Sequence, residues 1–421
     1  MSSMRINGRK EKIPPFPHHK KYIQYTRQYF FARTPLDHLF LGRMIAARET
    51  IRGIRSKVFI PRAMLLDPTS ACNLQCKGCW AADYEQGLDI SFEKLDDILT
   101  QAEAIGIRVC MFTGGEPLMR KDDIIKLCDR HRRMTFAAYT NGTLIDEAFA
   151  DEVARVQNLN LYLSIEGWRE ETDFRRGDGV FDQVVKAMDI LHSRGIAFAF
   201  SACYHARNWQ TIASDEFLDF MREKGCWFGW LFQYVPVGSD ADLSLVCQPE
   251  QREHVLRRVD EYSQRHDMML IDFWNNGHLA FGCVGAGAGF VHINAHGDVE
   301  PCAFCHYSDS NLYRQTLAEA LSSPFFKKFR QGQPFSSNPL SGCPLMNRPD
   351  KLADIVSAAG ARSTHMTAAE SVATLAAKTM PIAAAWQPAA DRIYHGFPKA
   401  RRRNFKVFIK YLAFRKRHTD Q

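Results

Sequence analysis

The chain of 421 residues has no long apolar run and no apolar signal core at its start. Its apolar stretches fall short of the roughly 18 residues that a membrane-spanning helix requires, and the first residues, from Met1 to Arg5, are polar. Tandem repeats are absent, and the twelve cysteines do not form the pattern of a small secreted disulfide scaffold. These absences predict a cytoplasmic protein, in which clustered cysteines bind metal more often than they pair.

Composition and length predict an ordinary globular protein with more than one domain. Hydrophobic residues make up 46% of the chain and charged residues 24%, as in typical globular proteins, and a chain of this length predicts roughly two to three domains. Changes in texture along the sequence suggest four parts, which are a basic and aromatic helical extension at 1–60, a barrel-like domain at 61–275, a small cysteine-rich domain at 276–350, and an alanine-rich then basic extension at 351–421.

The net charge of +7 is concentrated at the two ends. In the last twenty residues, basic side chains alternate with apolar ones at the spacing of one helix face, namely Phe405, Phe408, Ile409 and Leu412. Residues 18–57 are similar in kind. A basic amphipathic helix can cover a groove of its own protein, or lie on an anionic membrane surface. We therefore expect a cytoplasmic protein that is peripheral to the membrane at most, and we expect no nucleic-acid partner.

From about residue 62 to residue 273, short apolar runs alternate with longer amphipathic ones. The predicted strands are Met64–Pro68, Arg108–Phe112, Thr135–Tyr139, Leu159–Ile165, Ala197–Cys203 and Phe228–Val235. The predicted helices are Phe92–Ile105, Asp122–Arg132, Asp146–Val156, Phe181–Arg194, Asp215–Lys224 and Pro249–Arg265. Strict alternation predicts an α/β fold with a parallel sheet, here a partial (β/α)6 TIM-like barrel with functional loops at the carboxyl ends of its strands.

Three cysteines, Cys72, Cys76 and Cys79, follow the first predicted strand with the spacing C-x3-C-x2-C. A [4Fe–4S] cluster has four irons to ligate, so three thiolates leave one iron open to another molecule. The same thiolates could instead bind zinc, or be unrelated. The loop after the second strand contains Gly114, Gly115, Glu116 and Pro117, in which two glycines permit close backbone approach to a ligand.

Together these two loops resemble the radical S-adenosylmethionine (SAM) superfamily. Two later segments resemble it as well, namely Tyr139-Thr140-Asn141-Gly142-Thr143-Leu144 after the third strand, and Ser164-Ile165-Glu166-Gly167 followed by Arg176-Gly177-x-Gly179-x-Phe181. The resemblance covers about residues 60–240. In one respect the chain departs from it, because the residue before the third cysteine is often aromatic and near the adenine, whereas here it is Gly78.

The resemblance implies a [4Fe–4S] cluster on Cys72, Cys76 and Cys79, whose open iron is chelated by SAM. It implies reductive cleavage of SAM to a 5′-deoxyadenosyl radical that abstracts a substrate hydrogen atom, with electrons from an external flavodoxin- or ferredoxin-like donor. The residues that it assigns to SAM are Gly114, Gly115, Glu116, Pro117, Asn141, Ser164, Glu166 and Arg176, and Trp80 is our substitute for the missing aromatic contact. It identifies no further catalytic residue.

A second cysteine group follows. Cys283 is separated by 13 residues from Gly297, and four more residues precede Cys302. This spacing resembles the opening of the SPASM and twitch extensions, as does the segment 317–326. With Cys305 and Cys343 it supplies four thiolates, which suffice for one closed auxiliary [4Fe–4S] cluster or for a zinc ion. The nearby histidines, His292, His296 and His306, are less favoured ligands.

The remaining cysteines and the aromatic run 227–232 are predicted to be mainly core. The cysteines in question are Cys110, Cys128, Cys203, Cys226 and Cys247, and buried cysteine commonly behaves as a small hydrophobic residue. Some of the aromatic rings could line a substrate cavity. The substrate itself is unidentified, with a lipid-linked molecule or a peptide as candidates, and the alternative function is a non-catalytic iron–sulfur or zinc-binding scaffold on a degenerate barrel.

Overall fold

The structure is a computed structural model. It describes residues 3–6, 9–12, 51–55, 57–82, 84, 87–238, 240–266, 268–275, 282–365 and 369–399, and isolated residues between 402 and 418. The predicted N-terminal helical extension lies mostly outside these ranges. So do three of the four apolar positions of the predicted C-terminal helix, Phe405, Phe408 and Leu412.

One sheet of nine strands organises the described residues, and two strand pairs lie apart from it. The strands in chain order are β1 (Ser3–Ile6), β2 (Arg9–Lys12), β3 (Ala63–Leu66), β4 (Val109–Phe112), β5 (Thr135–Thr140), β6 (Leu159–Ser164), β7 (Phe198–Tyr204), β8 (Cys226–Gln233), β9 (Met269–Asp272), β10 (Phe290–Ile293), β11 (Val299–Glu300), β12 (Tyr307–Ser308) and β13 (Arg362–Ser363). The order across the large sheet is β11-β10-β3-β4-β5-β6-β7-β8-β9. Each pair from β10 through β3 to β9 is parallel, and only β11 is antiparallel to its neighbour.

The parallel sheet confirms the predicted TIM-like architecture and extends it. All six predicted strands are present, and the sheet gains β9 after the sixth unit and β10 beside β3. The strand β10 comes from the predicted cysteine-rich domain. Its residues Phe290 and Ile293 pair with Ala63 and Leu66 of β3 in the barrel. The small domain therefore contributes a parallel strand to the barrel sheet.

Helices alternate with the strands. They are α1 (Phe92–Ile105), α2 (Lys121–Arg130), α3 (Glu147–Val156), α4 (Arg169–Arg176), α5 (Val180–Ser193), α6 (Trp209–Ile212), α7 (Asp215–Glu223), α8 (Pro249–Arg265), α9 (Leu317–Leu321), α10 (Pro324–Gly332), α11 (Pro349–Ala359) and α12 (Val372–Gly396). The hydroxyls of Ser91 and Ser214 cap α1 and α7 by accepting backbone N–H groups in the first turn. The sequence prediction missed α4, because its eight residues, REETDFRR, carry no apolar stripe.

The two faces of the sheet differ in character. One face packs against the helices in a continuous apolar core, in which the rings of Phe112 and Phe136 stack at 5.5 Å. The other face carries a separate cluster around Ala137, Tyr162 and Phe228. Alternation along each strand sends neighbouring residues to opposite faces, so the second cluster occupies the barrel interior.

The alanine-rich segment is helical and packed. In α12 the Trp386 ring lies 3.8 Å from the guanidinium of Arg252 on α8, and its indole N–H donates to the Leu340 carbonyl at 2.9 Å. Farther along, Lys416 donates to the carbonyls of Arg330 and Gln333 at 2.9 and 2.6 Å. This basic residue is thus docked on the protein itself, which favours the interpretation of the C-terminal segment as a covering helix.

Among the described residues, no helix is both long enough and apolar enough to cross a membrane. Association of the basic ends with a membrane surface stays a prediction.

Candidate functional site

The loop that carries Cys72, Cys76 and Cys79 leaves the carboxyl end of β3 and packs directly on the loop after β4. The Gly115 N–H donates to the Thr69 carbonyl at 3.1 Å, and the Glu116 N–H donates to the Ala71 carbonyl at 2.8 Å. A Cβ atom on Gly115 would lie 2.1 Å from that Ala71 oxygen. Glycine is therefore required for the two loops to lie side by side.

Glu116 joins the loop after β4 to the loop after β5. It is buried, and its carboxylate accepts hydrogen bonds from the Thr140 hydroxyl and the Asn141 N–H, both at 2.7 Å. The Leu118 N–H also donates to this carboxylate, so Glu116 is the N-cap of the 3-10 helix that starts at Pro117. Burial raises the pKa of Glu116, although these donors oppose the shift.

Asn141 in turn holds the cysteine loop. Its side-chain amide donates to Asn73, which lies between Cys72 and Cys76, at 2.8 Å, while Asn73 donates to the Thr143 hydroxyl at 2.8 Å. Three of the predicted segments thus meet at one end of the sheet. Ser164, the last residue of β6, ends at the same edge and is half-buried.

A buried ion-pair group borders the cysteine loop on its other side. Glu166 is fully buried and accepts from Arg175 at 2.7 Å and from Arg176 Nε at 2.9 Å. Burial alone would raise the pKa of Glu166, but the two guanidinium groups outweigh it and lower the pKa. Arg176 Nη1 lies 4.0 Å from Cys76 Sγ, so positive charge adjoins the thiols.

Arg175, which sequence reasoning missed, is the more buried of the two arginines. Its backbone carbonyl accepts from the Lys77 N–H at 2.8 Å. The sequence held one signal for Arg175, since this residue directly precedes Arg176 in a helix without an apolar face. Cys203, predicted as core, lies at this group instead. It is partly accessible, and its N–H donates to Glu166 at 2.8 Å.

The three thiols fit a metal centre by their chemistry. Each is partly accessible and forms no disulfide. Burial raises the pKa of Cys72 to about 11 and also raises that of Cys79, while Arg175 and Arg176 act against the shift at Cys79. The free thiols of Cys72 and Cys79 therefore stay protonated at neutral pH, so a bound metal would have to displace their protons. The adjacent arginines make the resulting negative charge less unfavourable.

Gly78 stands where the resemblance leads us to expect an aromatic residue, and a ring from another part of the chain lies beside it. Gly78 has a φ of +63°, and a Cβ atom there would lie 2.5 Å from the ring of Tyr234, which follows β8. The Tyr234 ring therefore fills the space beside the glycine. Trp80 points toward the C-terminal region, with its ring 5.9 Å from that of Phe304 and 5.6 Å from that of His292. A contact between Trp80 and adenine stays a prediction.

The second cysteine group shares one cavity. Cys283, Cys302, Cys305 and Cys343 all line it, together with apolar residues that include Trp274, Phe304 and Phe329. Cys305 is buried and the other three are partly accessible where they face the cavity. Burial raises the pKa of all four thiols, to about 12 for Cys283.

These four thiols line the cavity without converging on one point. Within the described ranges no three side chains of His, Cys, Asp or Glu close around a single ion position. Two of the neighbouring histidines have other partners, since His292 contacts Asp67 and Glu300, and His306 contacts His365 and the Ala303 carbonyl. The buried Nε2 of His296 has no partner among the described residues, but His296 does not line the cavity. The four thiols are therefore the candidate ligands of this cavity.

The other four cysteines that were predicted as core are buried, namely Cys110, Cys128, Cys226 and Cys247. Burial raises the pKa of each thiol. They behave as small hydrophobic residues, as predicted.

Comparison with known families matches two parts of the chain. The model of the radical SAM superfamily matches residues 66–218, which include the first cysteine group and the three loops around it. The model of the SPASM domain, described as an iron–sulfur cluster-binding domain, matches residues 283–344, from the first to beyond the last cysteine of the second group.

Individual relatives cover the chain to different extents. An uncharacterised protein of Archaeoglobus fulgidus is 32% identical over 162 residues, which is 38% of this chain but only 39% of that protein. An AdoMet-dependent heme synthase of Methanosarcina barkeri is 24% identical over 302 residues, which is 64% of this chain and 85% of the synthase. The crystal structure of Streptococcus suis SuiB bound to precursor peptide SuiA has a TM-score of 0.55 at 18% identity, and the alignment covers 69% of this chain and 70% of SuiB. At that identity the likeness shows the fold alone.

Proposed function

Because the chain is a radical SAM enzyme with a C-terminal SPASM domain, we propose that Cys72, Cys76 and Cys79 hold the cluster at which SAM is cleaved. When bound, that [4Fe–4S] cluster reductively cleaves SAM to a 5′-deoxyadenosyl radical, which abstracts a hydrogen atom from the substrate. The observation that carries the assignment is the direct packing of the cysteine loop on the loop of Gly114 and Gly115, at 2.8 and 3.1 Å between backbone atoms.

We assign the residues around the triad separate roles in binding SAM and in positioning the loops that bind it. The backbone of Gly114 and Gly115 offers close approach beside the triad, and Glu116 and Asn141 fix the loops after β4 and β5 relative to it. The Arg176 guanidinium lies beside the Cys76 thiol and is oriented by Glu166, so we assign it to the SAM carboxylate. Ser164, at the end of β6, is assigned to the same side of SAM.

The second cysteine group is assigned to one closed auxiliary [4Fe–4S] cluster, with Cys283, Cys302, Cys305 and Cys343 as ligands. Its cavity is lined mainly by apolar side chains, and four thiolates leave no iron open to SAM or substrate. We assign electron supply to an external flavodoxin- or ferredoxin-like donor.

We infer the substrate class from the barrel interior. Aromatic rings form a continuous wall there, in which Tyr139 lies 4.9 Å from Tyr162 and 6.0 Å from Phe232. Phe232 lies 6.2 Å from Phe304, which in turn contacts Trp80 beside the third cysteine. Some rings of this wall are half-buried and uncharged, so they offer apolar surface to a ligand. They include Tyr139, Phe232, Phe304 and Trp80.

Such a wall binds flat, apolar, conjugated groups by stacking and burial. The indole N–H of Trp230, on the same wall, is buried and has no acceptor among the described residues. We propose that the substrate carries an aromatic group next to the aliphatic C–H bond that donates the hydrogen atom, as in a tetrapyrrole with its side chains or an aromatic side chain of a peptide. The name of the AdoMet-dependent heme synthase agrees with the first of these, a tetrapyrrole.

Isotope transfer tests this proposal. Reconstituted enzyme, SAM and a reductant are incubated without air with extracts of cells grown on one deuterated precursor at a time, and deuterium is read in 5′-deoxyadenosine by mass spectrometry. We expect transfer from extracts labelled through aromatic amino acids or through 5-aminolevulinate, the precursor of tetrapyrroles. Transfer only from an extract labelled in lipids through deuterated acetate would contradict the aromatic assignment and support the lipid-linked alternative.

The scaffold alternative makes a separate prediction. A non-catalytic scaffold would yield no 5′-deoxyadenosine from SAM and reductant under any of these conditions, whereas the radical SAM assignment requires it even without substrate.

A further inference from the structure

A buried row of polar side chains connects the loops of the first cysteine group with the strand that leads into the second. His292 on β10 is fully buried, and its imidazole lies between two carboxylates. Its Nε2 is 2.9 Å from Asp67 and its Nδ1 is 2.7 Å from Glu300. We call these three residues the Asp67–His292–Glu300 network.

At one end the network sets the loops around the triad. Asp67 lies between β3 and Cys72, and it accepts a hydrogen bond at 2.6 Å from the hydroxyl of Thr113, the residue that precedes Gly114. A Cβ atom on Gly114 would lie 2.9 Å from the Cβ of Asp67. A displacement of Asp67 therefore moves or loosens both the cysteine loop and the glycine loop.

At the other end the network belongs to the C-terminal region. Glu300 is on β11, two residues before Cys302, and it accepts from the Asn294 amide at 3.0 Å and from the Thr364 hydroxyl. The hydroxyl of Tyr84, which follows Cys79 in the chain, also donates to Glu300 at 2.9 Å. A carboxylate positioned beside the second cysteine group thus also holds the segment that leaves the first.

The charges make the row rigid. Burial alone would lower the pKa of His292, but the carboxylates of Asp67 and Glu300 raise it to about 10, so the imidazole is a cation at neutral pH. Separating buried charges that are in contact is strongly unfavourable. We therefore expect a shift of Glu300 to reach Asp67 through the two hydrogen bonds of His292.

We propose that the Asp67–His292–Glu300 network is a positioning device that couples the auxiliary cysteine site to the SAM site. Binding of a cluster by Cys302 and Cys305 fixes Glu300, and through His292 and Asp67 it fixes the loops that hold SAM. The inference rests on the proposed assignment of the two cysteine groups.

A double-mutant cycle on SAM affinity tests the coupling. Equilibrium dialysis without air measures the Kd of SAM for the reconstituted full chain, for C302A/C305A, for H292Q, and for the combined variant. We expect loss of the auxiliary site to weaken SAM binding about fivefold or more, the lower end of typical coupling between sites, and to have no further effect once His292 is replaced. An equal loss in both backgrounds would overturn the proposal, since it would show that the two changes act independently.

A second measurement covers the case in which the double cysteine variant does not fold. Here each end of the network is changed and the opposite site is observed. We expect D67N to alter the electron paramagnetic resonance spectrum of the auxiliary cluster in a protein that lacks the triad cysteines, and E300Q to raise the Kd of SAM. Effects confined to the mutated end would contradict the coupling.

The chain contains a matched control for His292. His131 is also buried between two carboxylates, those of Asp96 and Glu103, at 3.1 Å each, but it lies among the helices on the outer side of the sheet. H131Q should leave the dependence of SAM affinity on the auxiliary site intact. If the parent protein binds no SAM at all, the proposed function fails, whereas SAM binding that is indifferent to the auxiliary site refutes only this inference.

Discussion

The two cysteine groups differ in what surrounds them. The first, at Cys72, Cys76 and Cys79, lies in a loop at the end of β3, between glycine backbone and two arginines that share Glu166. The second lines a cavity whose other walls include Trp274, Phe304 and Phe329. Thiols of the first group face polar, charged neighbours, and those of the second face rings.

Under the proposed assignment of the ligands, this difference gives two kinds of iron environment in one chain. Three ligands beside polar backbone leave room for a charged amino-acid group, whereas four ligands among rings exclude one. The potential of an iron–sulfur cluster depends on net charge, hydrogen bonds to sulfur and solvent exposure. The same kind of cluster can therefore be reactive in one place and protected in the other.

Removal of the triad should have the largest effect. We expect C72A/C76A/C79A to abolish 5′-deoxyadenosine formation and to reduce the iron content from about eight to about four per chain, the number in one cluster of four. Chromatography of the nucleoside products and iron analysis after anaerobic reconstitution measure both. Retention of activity in this variant would remove the triad from the chemistry.

Removal of the auxiliary ligands should have the reciprocal effect on iron and a smaller one on cleavage. We expect C283A/C343A to lose about four irons per chain while it still cleaves SAM with a chemical reductant, because the open iron is elsewhere. The same assays apply. Complete loss of cleavage in a folded variant with four irons would show that the second group holds the open site.

Replacement of Arg176 should affect only the first group. We expect R176M to lower the reduction potential of the triad cluster, because a positive charge near Cys76 is lost, and to slow 5′-deoxyadenosine formation about tenfold, the effect of roughly 1.4 kcal/mol on a barrier. Potentiometric titration should find the auxiliary cluster unchanged. The variant R176K, which keeps the charge, should lose less, and equal shifts in both clusters would contradict a local role.

Replacement of Gly78 should have the smallest effect, on stability alone. Its φ of +63° opposes a side chain, and so does the Tyr234 ring, which would lie 2.5 Å from a Cβ atom at this position. We expect G78A to lower the free energy of unfolding by about 1–3 kcal/mol, measured by denaturant titration. Gly179 also has a positive φ, +76°, but nothing would lie within 4 Å of a Cβ atom added there, so G179A should cost less. Equal losses would show that the Tyr234 contact contributes nothing.

Sequence reasoning predicted the barrel and both cysteine groups, because strand–helix alternation and cysteine spacing are local in the chain. It did not predict that β10 joins β3, since this pairing of residues far apart leaves no local signal. Nor did it identify Asp67 or Glu300, whose partners come from distant segments. Arg175 was missed because α4 lacks the apolar periodicity by which helices are recognised.

The SAM contacts all remain predictions for a similar reason. The sequence places Glu116, Asn141 and Glu166 in loops that follow strands, whereas Arg176 ends the helix α4. The structure shows that Glu116 and Glu166 are largely occupied by protein donors. Those two carboxylates therefore hold loops and arginines in position. A strand-end position in the sequence does not distinguish such a holding role from direct contact with SAM, because the partners of each carboxylate come from other loops.

The pairing of β3 with β10 also has a consequence for biosynthesis. His292 and Asp67 are 225 residues apart in the chain, so during translation one edge of β3 has no partner until the cysteine-rich region has been made. An open strand edge invites pairing with other chains, and such non-local closure is slow. A nascent or truncated chain that ends before β10 should therefore aggregate, and its yield should depend on chaperones more than on iron supply.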